Sequence, residues 1–437
     1  MKKNAAIHTF GCKLNQTESM GIRYQLENAG YNIVPHNQNA DLFIINTCTV
    51  TAKSDAHARQ FIRKTKKNNP NALVIVTGCY PQTNPDIIAS IQGVDIVLGI
   101  KEKNNILKFI DDYNINKKPL VRVSDISKEK DFADFEYSTF GSYTRAFIKI
   151  QDGCDSTCSY CIVRIARGPN RSANPDLIIK KIQNLVEKDY KEVVLTGVHL
   201  GTYGNDLNGN WNLSRLLEKI CAVEDLKQVR LSSIEPTEFN EELIDIISSE
   251  NKIAKHFHIP LQSGSDKILD LMERPYSPEI YGDLIEKIKS RILDAAIGAD
   301  VLVGFPGEFD QDFQKTMNLI KRIPISYLHV FSYSKRPGTK ASIMDNQVHP
   351  ETKKERSKKL RSLGKEHWKY FCSQFIGNEQ EFLILTSRDL NSGLLRGISH
   401  NYLRILVDGS NRWMNQYTKI IIESFKNGIL YGSLAGD

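Results

Sequence analysis

No stretch of this sequence is apolar for long enough to cross a membrane. Its longest apolar runs, such as DLFII, ALVIV and DIVLGI, are far shorter than the roughly 20 residues that a spanning helix needs. The opening residues, MKKNAAIHTFGC, also lack the apolar core and the small-residue cleavage site of a secretory signal, and neither low-complexity tracts nor short-period repeats occur. We therefore expect a cytoplasmic protein with no membrane partner.

Cysteine, in contrast, is well represented, with eight residues. A cytoplasmic chain keeps its thiols reduced, so clustered cysteines indicate metal ligation or redox chemistry rather than disulfides. The 437 residues carry a formal net charge of +7, which suits a polyanionic partner without establishing one. The length allows two to four domains, each with its own core.

The first 125 residues alternate short apolar runs with helix-like stretches, a pattern typical of a parallel sheet wrapped by helices. Three of the runs end at a cysteine, AIHTFG at Cys12, DLFIINT at Cys48 and ALVIVTG at Cys79. Because the carboxyl ends of parallel strands share one edge, the three thiols are expected at that edge. A polar and charged stretch over residues 117–143 then predicts a linker.

The second predicted domain covers residues 140–370. Six strand-like runs, each followed by a helix-like segment, predict a partial (βα)6 barrel whose active site lies at the carboxyl ends of the strands. The runs are RAFIKIQ, EVVLTGV, QVRLSSI, HFHIPLQ, GADVLVGF and SYLHVFSY. Residues 351–370 predict a basic helix, and alternating strands in residues 372–437 predict a small antiparallel β-barrel. The predicted fold class is therefore α/β with a carboxyl-terminal β-barrel.

The sharpest local motif is QDGCDSTCSYC, which contains Cys154, Cys158 and Cys161 just after the first barrel strand. Three thiolates on one short loop can hold three corners of a four-iron cube and leave the fourth iron open, as a catalytic centre requires. The alternative is a structural zinc site, which needs a fourth ligand. The next histidine along the chain is His199.

This C-x3-C-x2-C loop at the mouth of a six-unit βα barrel resembles the radical S-adenosylmethionine superfamily over about residues 145–340. In that superfamily the open iron binds S-adenosylmethionine, which an electron cleaves to a 5′-deoxyadenosyl radical. The resemblance implies cofactor contacts at Tyr160, Gly197, Ser232, Glu235, Gln262, Val303 and Gly304. For each of these short motifs, an ordinary turn at a strand end is the alternative.

The contexts HTFGCKLNQTES, IINTCTVT and VTGCYPQ resemble the amino-terminal domain of the methylthiotransferase family, where these three cysteine positions hold a second four-iron cluster. The likeness covers nearly the whole chain, including a carboxyl-terminal RNA-binding barrel of the TRAM type. GCKLNQTES and NTCTVTAKSDAHARQ look closest to the branch that acts on N6-threonylcarbamoyladenosine beside the anticodon of tRNA. The sequence departs from the family after Val163, where Arg164 and Ile165 replace the usual proline and aromatic residue.

The resemblance implies an enzyme that adds a 2-methylthio group to this nucleoside with two [4Fe-4S] clusters and S-adenosylmethionine. Adding sulfur to an aromatic carbon breaks an unactivated C–H bond, which no acid or base side chain can do, so a cofactor must supply a radical. Electrons would come from a donor such as a flavodoxin or ferredoxin. The alternatives are a sister enzyme that modifies isopentenyladenosine of tRNA or a ribosomal-protein aspartate, and a non-catalytic iron-sulfur RNA-binding redox sensor.

Several basic and aromatic residues are candidates for RNA contact. Arg164, Arg167 and Arg171 follow the radical motif and are predicted to meet phosphate or the threonylcarbamoyl carboxylate, with structural ion pairs as the alternative. Further candidates are Tyr402, Arg404, Trp413 and Tyr417, the run Arg63, Lys64, Lys66 and Lys67, and the basic helix from Lys353. Core packing or a solvated face is the alternative for these. Cys221 and Cys372 are predicted to be packing residues.

Overall fold

The computed structural model describes residues 2–137 and 143–435. Along this part of the chain, a parallel α/β sheet is followed by an open βα barrel and a small closed β-barrel, which confirms the predicted fold class. Residue 140, where the central domain was predicted to begin, and residues 436–437 at the end of the third lie outside the described residues. No described helix is long and apolar enough to cross a membrane.

The amino-terminal domain is built on a parallel sheet. Its strands are β1 (Asn4–Thr9), β2 (Asn32–Val34), β3 (Leu42–Thr47), β4 (Leu73–Gly78), β5 (Ile96–Leu98) and β6 (Leu120–Arg122). Its helices are α1 (Lys13–Asn28), α2 (Ala52–Asn68), α3 (Cys79–Thr83), α4 (Pro85–Ala89) and α5 (Ile106–Asn116). The strand order is β2-β1-β3-β4-β5-β6, and every residue of the central strand β3 is buried, as expected for a strand covered on both faces.

The predicted linker is wrong in its first part. Leu120–Arg122 lies within it and forms β6, which pairs with β5 at the edge of the sheet. Farther along the same stretch, Phe135 is buried against the core of the amino-terminal domain. Three residues between polar flanks give no readable period, so the sequence pattern could not identify this edge strand. Residues 138–142 of the predicted linker lie outside the described residues.

The central domain contains all six predicted barrel strands. The strands are β7 (Arg145–Lys149), β10 (Glu192–Thr196), β11 (Gln228–Leu231), β12 (His256–His258), β13 (Ala296–Val303) and β14 (Tyr327–Ser332), with a small hairpin of β8 (Gln151–Asp152) and β9 (Arg171–Ser172) after β7. Its helices are α6 (Val163–Arg167), α7 (Pro175–Val186), α8 (Leu213–Cys221), α9 (Glu241–Ser249), α10 (Asp266–Leu271), α11 (Pro278–Arg291), α12 (Asp310–Arg322) and α13 (Pro350–Ser373). Bridges join the sheets β11-β10-β7 and β12-β13-β14 into one open barrel.

The carboxyl-terminal domain is a closed five-stranded barrel. Its strands are β15 (Glu379–Arg388), β16 (Leu395–Ser399), β17 (Arg404–Val407), β18 (Tyr417–Lys426) and β19 (Ile429–Leu434). They close in the order β15-β16-β17-β19-β18. The prediction of a wholly antiparallel barrel was wrong for one pair, because β17 and β19 run parallel. Local alternation identifies strands but does not show which strands pair.

The closed barrel covers the amino-terminal end of the open barrel. Arg230 of β11 is fully buried, and its guanidinium group bonds to Glu192 of β10. The same group donates hydrogen bonds of 3.0 Å to the carbonyl oxygens of Ser399 and His400. One buried cation thus neutralises a carboxylate inside the open barrel and anchors the closed barrel beneath it, at the end opposite the carboxyl edge of the strands.

Replacing Arg230 with methionine should destabilise the protein by about 3–5 kcal/mol, because it leaves Glu192 poorly neutralised and two buried carbonyls without a donor. Urea unfolding followed by tryptophan fluorescence measures the change, since Trp368 and Trp413 both pack against the closed barrel. The exposed Lys227→Met is the control, with an expected change within about 0.5 kcal/mol. Equal stability of the two variants would contradict this account of the anchor.

Candidate iron-sulfur active site

The three upstream cysteines lie at one edge of the amino-terminal sheet. Cys12 directly precedes α1, Cys48 follows β3, and Cys79 is the first residue of α3 after β4. Because β1, β3 and β4 are adjacent and parallel, their carboxyl ends meet at the same edge. All three thiols are free; Cys48 and Cys79 are each 9% exposed, whereas Cys12 is exposed.

Two glycines allow these segments to approach each other. Gly11 has φ +99°, and a Cβ atom there would lie 2.7 Å from the Cβ atom of Cys48. Gly78 has φ +102°, and a Cβ atom there would lie 2.3 Å from the carbonyl oxygen of Thr47. Only glycine combines this left-handed backbone with so little space. The turns before Cys12 and Cys79 therefore press against the end of β3, beside Cys48.

The electrostatics of the thiols also indicate one cluster of cysteines. Burial raises the pKa of Cys48 to about 12, with further contributions from Cys79 and Cys12. Burial raises the pKa of Cys79 as well, although Arg167 opposes the shift. A bound iron would supply positive charge that favours the thiolate forms of Cys48 and Cys79.

The second group of cysteines lies at the carboxyl edge of the open barrel. Each thiol has an N–H group nearby: the Nδ1 atom of His199 lies 3.4 Å from the Sγ atom of Cys154, Arg274 donates to Cys158 at 3.1 Å, and the backbone of Val163 donates to Cys161 at 3.4 Å. Hydrogen-bond donors of this kind stabilise thiolates, and they tune the reduction potential of a cluster that the thiolates hold.

His199 lies between Cys154 and Glu238, on one side of this loop. Burial alone would lower its pKa, but the Cys154 thiol and the Glu238 carboxylate raise the pKa of His199 to about 10. Burial tends to raise the pKa of Cys154, yet the bond and charge of His199 bring it below the usual value. Cys154 is thus prepared as a thiolate, the form that binds metal.

The spacing of the cysteines distinguishes a cluster from a single zinc ion. Zinc–sulfur bonds of about 2.3 Å keep the ligands of one tetrahedral ion roughly 4 Å apart. Within residues 2–137 and 143–435, the group of metal-binding side chains whose ligand atoms all lie within 4.8 Å of one another is His258, Asp300 and His329. The described cysteines form no group that compact, so neither trio is arranged as the ligands of a single zinc ion.

A cavity of about 200 Å³ lies between segments that carry the two cysteine groups. Val50 and Thr51, which follow Cys48, line one side, and Tyr160 and Cys161 line the other. Beside the cavity, the buried Cys79 and Ala166 belong to the same small apolar cluster, so that α3 and α6 are in contact. The segments that carry the two cysteine groups are therefore in contact beside this cavity.

A buried ionic network joins the two groups. Arg167, 2% exposed, donates to Glu18 at 2.9 Å, to Asp152 at 3.0 Å and to Asn15 at 2.6 Å. Asn15 in turn donates to the carbonyls of Phe10 and Thr47, in the turns before Cys12 and Cys48. An arginine six residues after Cys161 thus fixes the backbone that positions two cysteines of the other group.

Sequence reasoning missed the anionic part of this network. Glu18 is fully buried and also pairs with Lys103 and Lys149. The available signal was the polar run LNQTES at the start of α1. A surface helix alternates polar and apolar faces, whereas Asn15, Thr17, Glu18 and Ser19 are all buried here. The polar run at the start of α1 therefore forms a buried polar interface rather than a solvated face.

The residues predicted to contact the cofactor all lie at the carboxyl edge of the barrel. Tyr160 packs edge-on against Phe305, and Glu235 pairs with Arg274, the donor to Cys158. The hydroxyl oxygen of Ser232 is buried without a hydrogen-bond partner, the only such serine among the described residues. An orphaned hydroxyl at this edge fits a polar ligand.

The other residues predicted to contact the cofactor have close neighbours, a left-handed backbone or hydrogen bonds within the protein. A Cβ atom on Gly197 would lie 2.7 Å from the Oε1 atom of Gln151, and Gln262 has φ +62°. The carbonyl of Val303 accepts a bond from Tyr333, and the N–H of Gly304 donates to Glu308 at 3.0 Å. The Val303 carbonyl and the Gly304 N–H are therefore both engaged within the protein.

The arginines after the radical motif divide into two kinds. Arg164 is exposed, in agreement with a role in RNA contact. Arg167 and Arg171 are each 2% exposed, and Arg171 donates to the carbonyls of Pro169 and Arg167. Phosphate cannot reach these two groups, so the prediction that they contact RNA is wrong. The structure assigns them the structural role that the sequence left open.

The predicted RNA contacts of the closed barrel are placed differently from expectation. Tyr402 stacks on His256 with ring centroids 4.0 Å apart, and Tyr417 bonds to Gln228, so both pack against the amino-terminal end of the open barrel. Trp413 packs on the core of the closed barrel. Arg404 is exposed beside Tyr402, at 5.1 Å from its ring. Tyr417 and Trp413 are both half-buried and make the packing contacts that the core-packing alternative predicts.

The other residues predicted to contact RNA differ in whether their charges are exposed or bonded within the protein. Arg63, Lys64 and Lys67 are exposed on α2, whereas Lys66 bonds to the carbonyl of Ala72 and to Asp95. In the basic helix, the Lys353 ammonium lies 5.0 Å from the Tyr333 ring. Cys372 is buried in the core of the closed barrel, and Cys221 packs against that of the open barrel.

A three-cysteine loop with cation and amide donors, at the carboxyl edge of an open six-stranded βα barrel, defines a radical S-adenosylmethionine enzyme. Residues 148–320 match the radical SAM superfamily, and residues 4–99 match the uncharacterized protein family UPF0004. The radical SAM methyltransferase TsrM from Kitasatospora setae has a similar fold, with a TM-score of 0.57, 14% identity, and coverage of 78% of this chain and 77% of that one. This likeness concerns the fold alone.

Curated relatives narrow the assignment. The threonylcarbamoyladenosine tRNA methylthiotransferase MtaB of Bacillus subtilis is 39% identical over 95% of this chain and 93% of its own length, and that of Aquifex aeolicus is 39% identical over 92% and 96%. The tRNA-2-methylthio-N(6)-dimethylallyladenosine synthase of Fusobacterium nucleatum is 34% identical over 99% and 100%. The chain belongs to the family of radical SAM tRNA methylthiotransferases, which are transferases that use a [4Fe-4S] cluster and S-adenosylmethionine.

The buried network predicts a specific acid sensitivity. Burial alone would raise the pKa of Glu18, but Arg167, Lys103 and Lys149 outweigh it and hold the pKa at about 2, below the value of 4.5 for a free glutamate. A depressed pKa means that the stabilisation is complete above pH 4.5 and is lost as the pH falls toward 2. Glu18→Gln should therefore be less stable at pH 7, by about 3 kcal/mol, and should lose less stability than the wild type between pH 4.5 and pH 2.

Urea unfolding of the full chain at several pH values, before iron is added, measures both effects. Glu27→Gln is the matched control, because Glu27 lies on the same helix in an exposed pair with Arg23. Parallel pH profiles for the wild type and Glu18→Gln would contradict the assignment of this titration to Glu18.

Proposed function

We propose that this enzyme adds a methylthio group to carbon 2 of N6-threonylcarbamoyladenosine beside the anticodon of tRNA, in the cytoplasm. The observation that carries the proposal is that the two segments bearing the cysteine groups meet beside one cavity, with the bonds of Arg167 joining them. The choice of nucleoside is supported by the 39% identical relatives that carry this activity in their names. Electrons would come from a donor such as a flavodoxin or ferredoxin.

In this proposal, Cys154, Cys158 and Cys161 hold one [4Fe-4S] cluster, and Cys12, Cys48 and Cys79 hold a second. The first three cysteines would thus hold the cluster that, with S-adenosylmethionine, supplies the radical, and the other three would hold the cluster that presents the sulfur. The geometry supports this division, because His199 and Arg274 donate to the barrel thiols, and the charge of Arg167 influences Cys79 and Cys12. Each cluster would thus have cations that offset its negative charge.

The chain's own groups have definable tasks around the cofactors. Ser232 offers a buried and unpaired hydroxyl, which would bind a polar part of S-adenosylmethionine, and Tyr160 with Phe305 forms an apolar wall for its adenine. The backbone near Gly197, the amide of Gln262 and the Val303–Gly304 backbone are further proposed contacts. Glu235 is paired with Arg274 and so would position the Cys158 thiolate rather than meet the cofactor directly.

The second candidate function is the sister reaction on dimethylallyladenosine of tRNA. It is supported by the relative from Fusobacterium nucleatum, which is 34% identical over the whole length of both chains. The higher identity of the threonylcarbamoyladenosine enzymes favours the first candidate. Neither a ribosomal-protein substrate nor a purely redox-sensing role draws support from the relatives described above.

Iron analysis tests the two-cluster proposal. The anaerobically reconstituted wild type should contain about eight irons per chain, and the triple variants Cys12/Cys48/Cys79→Ala and Cys154/Cys158/Cys161→Ala about four each. The first variant should still produce 5′-deoxyadenosine and the second should not. A first variant that keeps about eight irons would refute a cluster at the sheet edge. The Cys221→Ala variant serves as control and should contain as much iron as the wild type.

Nucleoside mass spectrometry tests the substrate. In tRNA from a strain that lacks the gene, 2-methylthio-N6-threonylcarbamoyladenosine should disappear while its unthiolated precursor accumulates. The gene supplied in trans should restore the product, and the version with Cys154→Ala should not. Persistence of the nucleoside in the deletion strain, with loss of 2-methylthio-dimethylallyladenosine instead, would establish the sister reaction.

A further inference from the structure

A second and larger cavity, of about 500 Å³, opens between the open barrel and the closed barrel. Arg145 at the start of β7, Tyr327 and His329 of β14, and Tyr402 and Arg404 of the closed barrel are among its lining residues. None of them belongs to either cysteine group. We call this cavity the junction pocket.

The junction pocket is positively charged. Arg145, Arg396 and Arg404 line it, and no aspartate or glutamate does so in the described part of the chain. Arg404 and Arg396 form no ion pair with a described carboxylate, and Arg145 shares Glu192 with Arg230. Burial would raise the pKa of Tyr402, yet Arg404, Lys13 and Arg145 bring it below the usual value, as a positive potential requires.

The pocket is also lined by flat rings. The Tyr402 and Tyr327 rings lie 6.2 Å apart at an angle of 26°, and Trp368 meets Tyr327 edge-on at 6.1 Å. Aromatic faces bind planar groups, and unpaired guanidinium groups bind carboxylate or phosphate in a forked geometry. The lining therefore fits a planar group that bears an anion.

The junction pocket and the cavity at the carboxyl edge of the barrel are both bordered by β14. Tyr327 and His329 line the junction pocket, and Phe331 and Tyr333 line the other cavity. Alternate residues of a strand are roughly 7 Å apart, so His329 and Phe331 bring the two cavities to neighbouring positions along one strand. Between them, the carboxylate of Asp300 lies 3.4 Å from His329.

We propose that the junction pocket binds the carboxylate of the adenine substituent and thereby selects the anionic nucleoside over a neutral one. The proposal rests on the proposed function. The threonylcarbamoyl group extends from N6 through a planar urea and ends in a carboxylate, whereas a dimethylallyl group is uncharged. Arg404 forms the anion contact, with Arg145 beside it, and a dimethylallyl group carries no charge for either arginine to bind.

A phosphate of the RNA backbone would present the same anionic chemistry to these arginines. The two sources differ in their dependence on the nucleoside, because a backbone phosphate is present whether or not the adenine is modified. Three anticodon stem-loop RNAs of one sequence separate them: one with N6-threonylcarbamoyladenosine, one with its neutral methyl ester, and one with plain adenosine.

The test is fluorescence anisotropy with the reconstituted full chain, without S-adenosylmethionine so that no turnover occurs. The wild type should bind the carboxylate RNA about tenfold more tightly than the ester RNA, as expected for loss of one charged hydrogen-bonding group. Arg404→Gln and Arg145→Gln should each reduce this ratio to about twofold, with little change in Kd for the ester RNA. Arg404→Lys should retain part of the preference. Arg322→Gln, an exposed arginine of α12 away from the pocket, should keep the wild-type ratio.

Equal weakening of all three RNAs by Arg404→Gln would assign the contact to a phosphate and overturn the proposal. An unchanged preference in both Arg404→Gln and Arg145→Gln would overturn it while leaving the proposed nucleoside intact. A wild type that binds all three RNAs equally would instead count against the proposed nucleoside and the pocket together.

Discussion

The buried contact between Arg167 and Glu18 is the interaction on which the arrangement of this enzyme depends. Glu18 is fully enclosed and in contact with three cations, and Arg167 extends from the loop that follows the barrel cysteines. Burying so many charges is costly unless each has a partner, so the two domains satisfy one another at a single relative position. That position places the edge of the amino-terminal sheet opposite the carboxyl edge of the barrel. The shared cavity is a consequence of this electrostatic fit.

A second buried arginine performs a similar task at the other end of the barrel. Arg230 holds the closed barrel through two backbone carbonyls, and Tyr402 from the same loop fills the space next to His256. The closed barrel thereby covers the amino-terminal ends of the open barrel's strands. The small domain therefore caps its neighbour as well as presenting a surface of its own.

The sequence predicted most of what short-range patterns can encode. Six barrel strands, five strands of the closed barrel and the placement of Cys12, Cys48 and Cys79 at strand ends follow from apolar runs, and the structure contains them. It could not predict which cations are buried, because Arg164, Arg167 and Arg171 look alike in RIARGPNRS, and only Arg164 is exposed. The pairing of Arg167 with Glu18 joins residues far apart in the chain, and no local period records such a contact. The parallel pairing of β17 and β19 could not be predicted for the same reason.

The position of Arg404 has a consequence for how such enzymes diversify. It lies on β17, outside the segments that carry the two cysteine groups, and forms no ion pair with a described carboxylate. Substitutions there leave the iron-binding scaffold and its buried charges untouched. With the proposed anion contact on Arg404, a few surface substitutions in the carboxyl-terminal domain would change which modified base is accepted. The iron-sulfur site would keep its residues. Recognition and catalysis would then evolve at separate rates within one polypeptide.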